Sequence, residues 1–510
     1  MNGYMQKVFS VLAFISMAMS PYLTMSQRIV YSEPEKDDGR RTNFDIIGKI
    51  GGNVLVFKNN RSDNAISVYN SDMKLLERVN LSFMPDRYTD VYFIPYADFC
   101  YMLYEYQHKN IVHLAMVKID GMGKKMADPI DLDTTHFGGS ANKIYTTIFS
   151  EDRQRIIIVK INSKNPKNFL FTTFLYNAQF ELLDQHRIWL PMEERNDFFT
   201  DFVLDNDGNL VFAKFLKSSS NDYISRVSFV SKGATADSFV VKDAGTGDHI
   251  LDEIKVRADN LNKQYILTGF YYKQRRGNIE GIYTVIWDRA TNSKQKESLT
   301  IFNDELRTIA KSSEENQKMA FNDFFIKQVI PKKDGGFILL SESEYTTSRG
   351  GYFNRWDYMY GSPYYSPLDY YGGPYYNPYR YGYPSNGYNN AVRYHAENIM
   401  MLSFDKDVNL EWSNVIPKSQ FDDESENVIS YQIMNTGGEL HFMYNEYDRR
   451  NILLTDQSIS PDGKITRHPT LRNLDRGFEF LPRHGKQIGA TQIIFPCLYR
   501  NYLCFAKVEF

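Results

Sequence analysis

The sequence predicts an all-β chain folded as a β-propeller, and three features carry the prediction. Short apolar stretches come in groups of four, and hairpin turns such as "DNDGN", "KKDGG" and "SPDGK" separate neighbours within a group. Apart from the sixth, which holds a long insertion, the groups return every roughly 45 to 70 residues, the interval of propeller blades. Aromatic residues reach 15%, with 37 Tyr and 35 Phe, a bias that suits strands better than helices.

The first 26 residues read as a secretory signal peptide. Lys7 precedes an apolar run from Val8 to Met19, and Thr24 and Ser26 stand at −3 and −1 of a cut before Gln27. This run is too short for a membrane span, and no later stretch reaches the roughly 18 apolar residues a span needs. The expected location is therefore exported: periplasmic or associated with the outer membrane, with extracellular release as the alternative. A single propeller domain then occupies residues 27–510.

The strand groups begin near Phe44, Tyr88, Lys143, Phe198, Ile250, Phe321, Val428 and Phe478. The first reads "FDIIGKI", "NVLVFKN", "AISVYNS", "KLLERVNL"; the fourth repeats the plan with "FFTDFVLD", "LVFAKFL", "YISRVSFV" and "DSFVVKD". The last supplies only "GFEFLPR", "ATQIIFPCLY" and "YLCFAKVEF", while "RIVYS" stands alone behind the predicted cut. Pairing that orphan with the last group would hide two open sheet edges. The expectation is eight blades, the ring closed by the N-terminal strand, with seven blades as the alternative. An outer-membrane barrel is the competing exported all-β architecture, but its strands alternate. "RIIIV" and "GFILL" are continuous apolar runs, as in sheets covered on both faces.

One segment breaks the pattern. Residues 346–394 form a Tyr/Pro/Gly-rich insertion between strands B and C of the sixth blade. Pro and Gly deny it a regular ladder. Its tyrosines offer large apolar faces with polar tips, the chemistry of binding surfaces. Tyr364, Tyr365, Tyr370, Tyr371, Tyr375, Tyr376, Tyr379, Arg380, Tyr381 and Tyr383 form the candidate partner-binding loop, the alternatives being a flap without a partner or a packing insert. In an up-and-down blade the B–C loops and the blade-to-blade connections share one face. There the B–C loops lean basic (Lys160–Asn168, Lys214–Tyr223, Lys273, Arg275, Arg276) and the connections lean acidic.

Acids recur at the start of strand A: Asp45, Asp90, Asp201, Asp252, Asp323 and Glu479. Strand A lines the channel, so these carboxylates form a candidate ring at its mouth, suited to a cation or a partner's Lys or Arg. The alternative is that each caps its own loop. Of the three cysteines, Cys100 stands apart, whereas a two-residue turn at Arg500-Asn501 sets Cys497 opposite Cys504, either as a disulfide or as two buried thiols.

Several chemistries have no motif here. The nine His form no H-x-x-x-H or H-E-x-x-H pair, and no G-x-S-x-G, phosphate loop or dinucleotide fingerprint is found. "DNDGN" lacks the full calcium-loop spacing and reads as a hairpin turn. No cofactor is expected, a structural cation such as calcium being the one metal the acids would suit. A net charge of −3 gives no case for nucleic acid.

Around "NIMMLSFDKDVNLEWSNVIPKSQ" (Asn398 to Gln420), and with its cut before Gln27, the chain resembles exported, mostly uncharacterised β-propeller-like proteins of Bacteroidota. That resemblance implies architecture and export but no functional residues. The expected function is a non-enzymatic envelope scaffold that binds a protein partner on the face carrying the Tyr-rich loop. A glycan-binding or glycan-active propeller is the alternative. Carboxylates converging in a deep channel pocket would favour the second, an exposed aromatic patch the first.

Overall fold

The computed structural model describes residues 27–36, 42–60, 63–136, 144–165, 168–192, 197–200, 202–217, 223–247, 249–275, 277–311, 321–348, 351–353, 392–423, 426–448, 451–472, 478–500 and 502–510. The predicted signal peptide, Asp201 and all ten residues of the Tyr-rich candidate loop lie outside them.

The described chain is all-β apart from a short helix, Asp304–Ala310, and one 3-10 turn, and every strand pairing is antiparallel. Three sheets consist of four strands in chain order, the first being Thr42–Ile50, Asn53–Asn60, Asp63–Tyr69 and Leu75–Asn80, and the others elaborate this plan with short extra strands. The same order recurs through the third, which runs from Tyr145–Phe149 to Leu182–Pro191. The fourth and fifth groups touch through one residue pair, Ile224 with Leu251. In the sixth, Phe337–Ser348 pairs directly with Val392–Phe404, on either side of residues 354–391.

Burial explains why the sequence mixes two strand patterns. Asp63–Tyr69, third in its sheet, is buried at every position after the first, because both its faces are covered. Leu75–Asn80 and Leu182–Pro191, fourth in theirs, alternate toward solvent as edge strands do. The hairpins reuse one device. Asn70, Asp120, Asn177, Asp205 and Asp405 each accept backbone N–H bonds from the residues two and four ahead. This turn needs a left-handed residue at the third position, supplied by Gly208 at φ +90 after Asp205. "DNDGN" is thus a hairpin, its Asp205 also taking the Tyr265 hydroxyl at 2.7 Å.

Apolar side chains fill the spaces between successive sheets. One cluster joins groups one and two through Leu55, Phe57, Phe93 and Met102. Others follow in order to groups seven and eight. A further cluster packs Phe44, Ile46 and Val56 of the first group against Ile494, Leu503 and Phe505 of the last. Each such buried aromatic contributes on the order of 2–3 kcal/mol. Arg28–Tyr31 pairs with Tyr502–Glu509, Arg28 opposite Glu509.

Cys497 does face Cys504 in register, as the turn predicts. The two are free, buried thiols and not a disulfide. Burial raises the Cys497 thiol well above its usual range and keeps it protonated.

Candidate functional site: a cavity with a cationic wall

The first strand of each group leads toward the turn that joins it to the second, and two cavities lie at that end of the first strands. The larger, about 670 Å³, is walled by Lys327–Pro331 and the turn after it, by Tyr431–Ile433, and by Arg257 and Arg483. The second, about 500 Å³, shares Glu151, Arg257, Asn260 and Lys327 with the first and reaches Thr146, Arg153 and Lys255. Alternation along Lys255–Asp259 puts Lys255 and Arg257 on one face, while in Phe324–Pro331 a register shift between Ile326 and Gln328 interrupts the alternation at Lys327.

The wall carries seven cationic groups (Arg153, Lys255, Arg257, Lys327, Lys332, Lys333 and Arg483) and two acids, Glu151 and Asp259. Four of the cations lean on carboxylates held behind or beside the wall. Lys327 Nζ lies 2.5 Å from Glu344 and 3.7 Å from Glu342; Arg483 bridges Glu344 and Glu426, at 2.6 Å each. Lys255 meets Glu253 at 3.5 Å, and Lys332 meets Glu411 at 2.5 Å. Arg153 stays nearby through the Pro95 carbonyl and the Phe149 ring. Arg257 and Lys333 make no ion pair among the described residues. Both acids are hydrogen-bonded by amides, Glu151 by Asn260 and Asp259 by Asn262 and Gln264. Counted with the carboxylates behind it, the wall is close to neutral overall, and its local positive character comes from Arg257 and Lys333, which suits a single acidic group rather than a dense polyanion.

A buried charge network fixes the inner end of this wall. Lys418 Nζ contacts Glu342 Oε1 at 2.7 Å with both side chains out of solvent, and Ser430 Oγ donates to Glu342 Oε2 at 2.5 Å. Burial raises the Glu344 carboxyl, but Lys327, Arg483 and Lys418 outweigh it and hold the group down at about 2. Beside Arg483, His484 Nε2 donates to Asn427 Oδ1 at 3.0 Å; burial, aided by the Arg483 charge, pushes it down to about 3.

The predicted acidic ring is not assembled into this site. None of its five described members lines either cavity. Asp323 is buried and accepts from Ser343 Oγ of the neighbouring strand at 2.7 Å. Asp45 is half-buried, 3.8 Å from Lys486, and Asp252 is buried. Asp90 lies opposite Glu105 beside a small separate cavity, and Glu479 opens its strand opposite Leu498. Glu105, which the sequence reading did not single out, takes the backbone N–H groups of Ile144 and Tyr145 and so ties the second group to the third. The cationic wall was also missed. Its signal is the basic residues of "DEIKVRADN" and "FFIKQVIPKKDGG", at and just beyond the first strands of adjacent groups.

No protein-family model matches the chain, and no curated protein matches it. Solved structures do show likeness. The WD40 domain of SCAP from fission yeast is 8% identical with a TM-score of 0.41, covering 95% of this chain and 98% of that one. The Nup133 β-propeller domain of Vanderwaltozyma polyspora is 10% identical with a TM-score of 0.36, over 82% of this chain and 99% of its own. An ulvan lyase, described as a new family of polysaccharide lyase, is 10% identical with a TM-score of 0.36, over 81% of this chain and 90% of that one.

Proposed function

We propose that the chain is a binding protein of the bacterial cell envelope, an eight-bladed β-propeller closed by its N-terminal strand, that receives an acidic group of a protein partner in its channel. Closure is supported by the pairing of Arg28–Tyr31 on the last strand and by the apolar cluster joining the last group to the first. Export is supported by the signal-peptide pattern of residues 1–26, and the resemblance to Bacteroidota proteins fits the same setting.

The observation that carries the binding reading is the cavity wall, where Arg257 and Lys333 stand beside Lys327 and Arg483 without an ion pair among the described residues. A carboxylate entering there gains charge-assisted hydrogen bonds in a partly desolvated recess. Ser348 and Val392, which flank the Tyr-rich insertion, lie at the opposite strand ends from this cavity.

Calorimetric titration with a hexaglutamate peptide, a neutral Gly-Ser hexapeptide and a galacturonate oligomer tests the reading. The acidic peptide should bind, the neutral one should not, and Arg257→Glu with Lys333→Glu should weaken binding at least tenfold. Removal of residues 354–391 should leave it unchanged. Preference for the galacturonate oligomer would move the assignment to acidic glycans, and no binding by either acid would refute it.

A further inference from the structure

In the seventh group, Leu440–Asp448 and Asn451–Ile459 pair with His441 opposite Ser458 and Met443 opposite Asp456. Those four side chains share one face of the sheet. His468, just after Ile465–Arg467, joins them, its N–H bound to the Asp456 carbonyl at 3.0 Å. The result is a compact set: the ligand-type atoms of His441, Asp456 and His468 all lie within 4.8 Å of one another. His441 Nδ1 is 3.1 Å from both Asp456 oxygens, and His468 Nε2 is 4.0 Å from Oδ2. Ligands about 2.1 Å from a tetrahedral zinc ion stand about 3.4 Å apart, so these separations need only small adjustments.

A fourth donor comes from the start of the closing strand. Gln27 Nε2 lies 2.5 Å from Asp456 Oδ2, while Gln27 Oε1 is buried without a hydrogen-bond partner among the described residues. Turning that amide over exchanges its oxygen and nitrogen. With a cation bound, the oxygen would face the ion beside the carboxylate; without one, Nε2 keeps its bond to Asp456. The Phe510 ring, at the other chain end, packs on His441 with centroids 4.6 Å apart and shields the set from water. Asp456 is fully buried.

We infer that His441, Asp456, His468 and Gln27 form a binding site for a zinc-type divalent ion that pins both chain ends to the seventh sheet. Two imidazoles, a carboxylate and an amide oxygen suit zinc or a neighbouring transition metal rather than calcium or magnesium. To bind, His468 Nε2 exchanges its present 2.7 Å hydrogen bond to Ser458 Oγ for the metal. This site is separate from the channel, and neither inference depends on the other.

The test uses the full chain, stripped with chelator, dialysed against zinc and assayed by elemental analysis. The expectation is one zinc per chain, with a rise in melting temperature and slower amide exchange over Arg28–Tyr31. His468→Gln, at a position one-quarter exposed and so tolerant of change, should lower retention at least tenfold. Ser458→Ala removes only the competing hydroxyl and should retain zinc fully. Retention below a tenth of an equivalent would overturn the proposal. So would equal retention by wild type and His468→Gln, which would assign the metal to scattered surface histidines.

Discussion

The titration of His484 gives the most quantitative handle on how the inner wall is built. Its ring is 2% exposed, packs edge-on against Phe44 with centroids 6.2 Å apart, and meets Asn427 at 3.0 Å. Burial, reinforced by Arg483, lowers it from 6.5 to about 3, so the folded protein holds it neutral where the unfolded chain would protonate it. The sign follows directly. Stability from this group is complete above the unfolded value of 6.5 and is lost as pH falls toward about 3. One proton per chain gives a slope of about 1.4 kcal/mol per pH unit, hence a loss of about 2 kcal/mol by pH 5. Glu344 does not obscure this window. Held down at about 2 against an ordinary 4.5, its contribution is present above 4.5 and fades only below it. Urea unfolding at pH 7 and pH 5 should therefore show the wild type losing about 2 kcal/mol more than His484→Gln, whose amide can still reach Asn427. Equal losses in the two proteins would refute the claim that this imidazole is buried neutral.

Three further outcomes follow from other contacts. Lys418→Met leaves Glu342 buried beside a lost partner and should cost about 3–5 kcal/mol, whereas Lys418→Met with Glu342→Gln should cost markedly less, as equilibrium unfolding of the set would show. Deleting residues 27–36 uncovers the edge of the last sheet and should lower the melting temperature and promote self-association seen by size-exclusion chromatography; an unchanged monomer of unchanged stability would contradict closure. All three thiols should react with a chromogenic disulfide reagent only after unfolding, since each is free and buried, and a yield of one thiol in the unfolded, unreduced chain would restore the disulfide.

Repetition made the fold legible. Four-strand groups, Asx-type turns at Asp205 and Asp405, and the orphan "RIVYS" are local signals, and the pairing of Arg28–Tyr31 with Tyr502–Glu509 realises the last of them. The Cys497–Cys504 register was equally local, being set by a two-residue turn, but oxidation is not, and the thiols are free. The site was less legible because it depends on which side chains converge across groups far apart in sequence. Acids at matching positions looked like a ring, yet Asp323 satisfies a serine in its own sheet, and Glu105, outside the pattern, caps the next one. The cationic wall joins Arg257, Lys327 and Arg483 from three groups, and whether Lys327 is balanced depends on Glu344, which reaches it only through strand pairing.

The central claim is that an acidic group of the ligand enters the channel between Arg257, Lys333, Lys327 and Arg483. A crystal structure with the hexaglutamate peptide bound tests it most directly. The account predicts a carboxylate within hydrogen-bond distance of Arg257 or Lys333 inside the 670 Å³ cavity. Density for the peptide at the opposite strand ends, with this cavity holding only solvent, would contradict it.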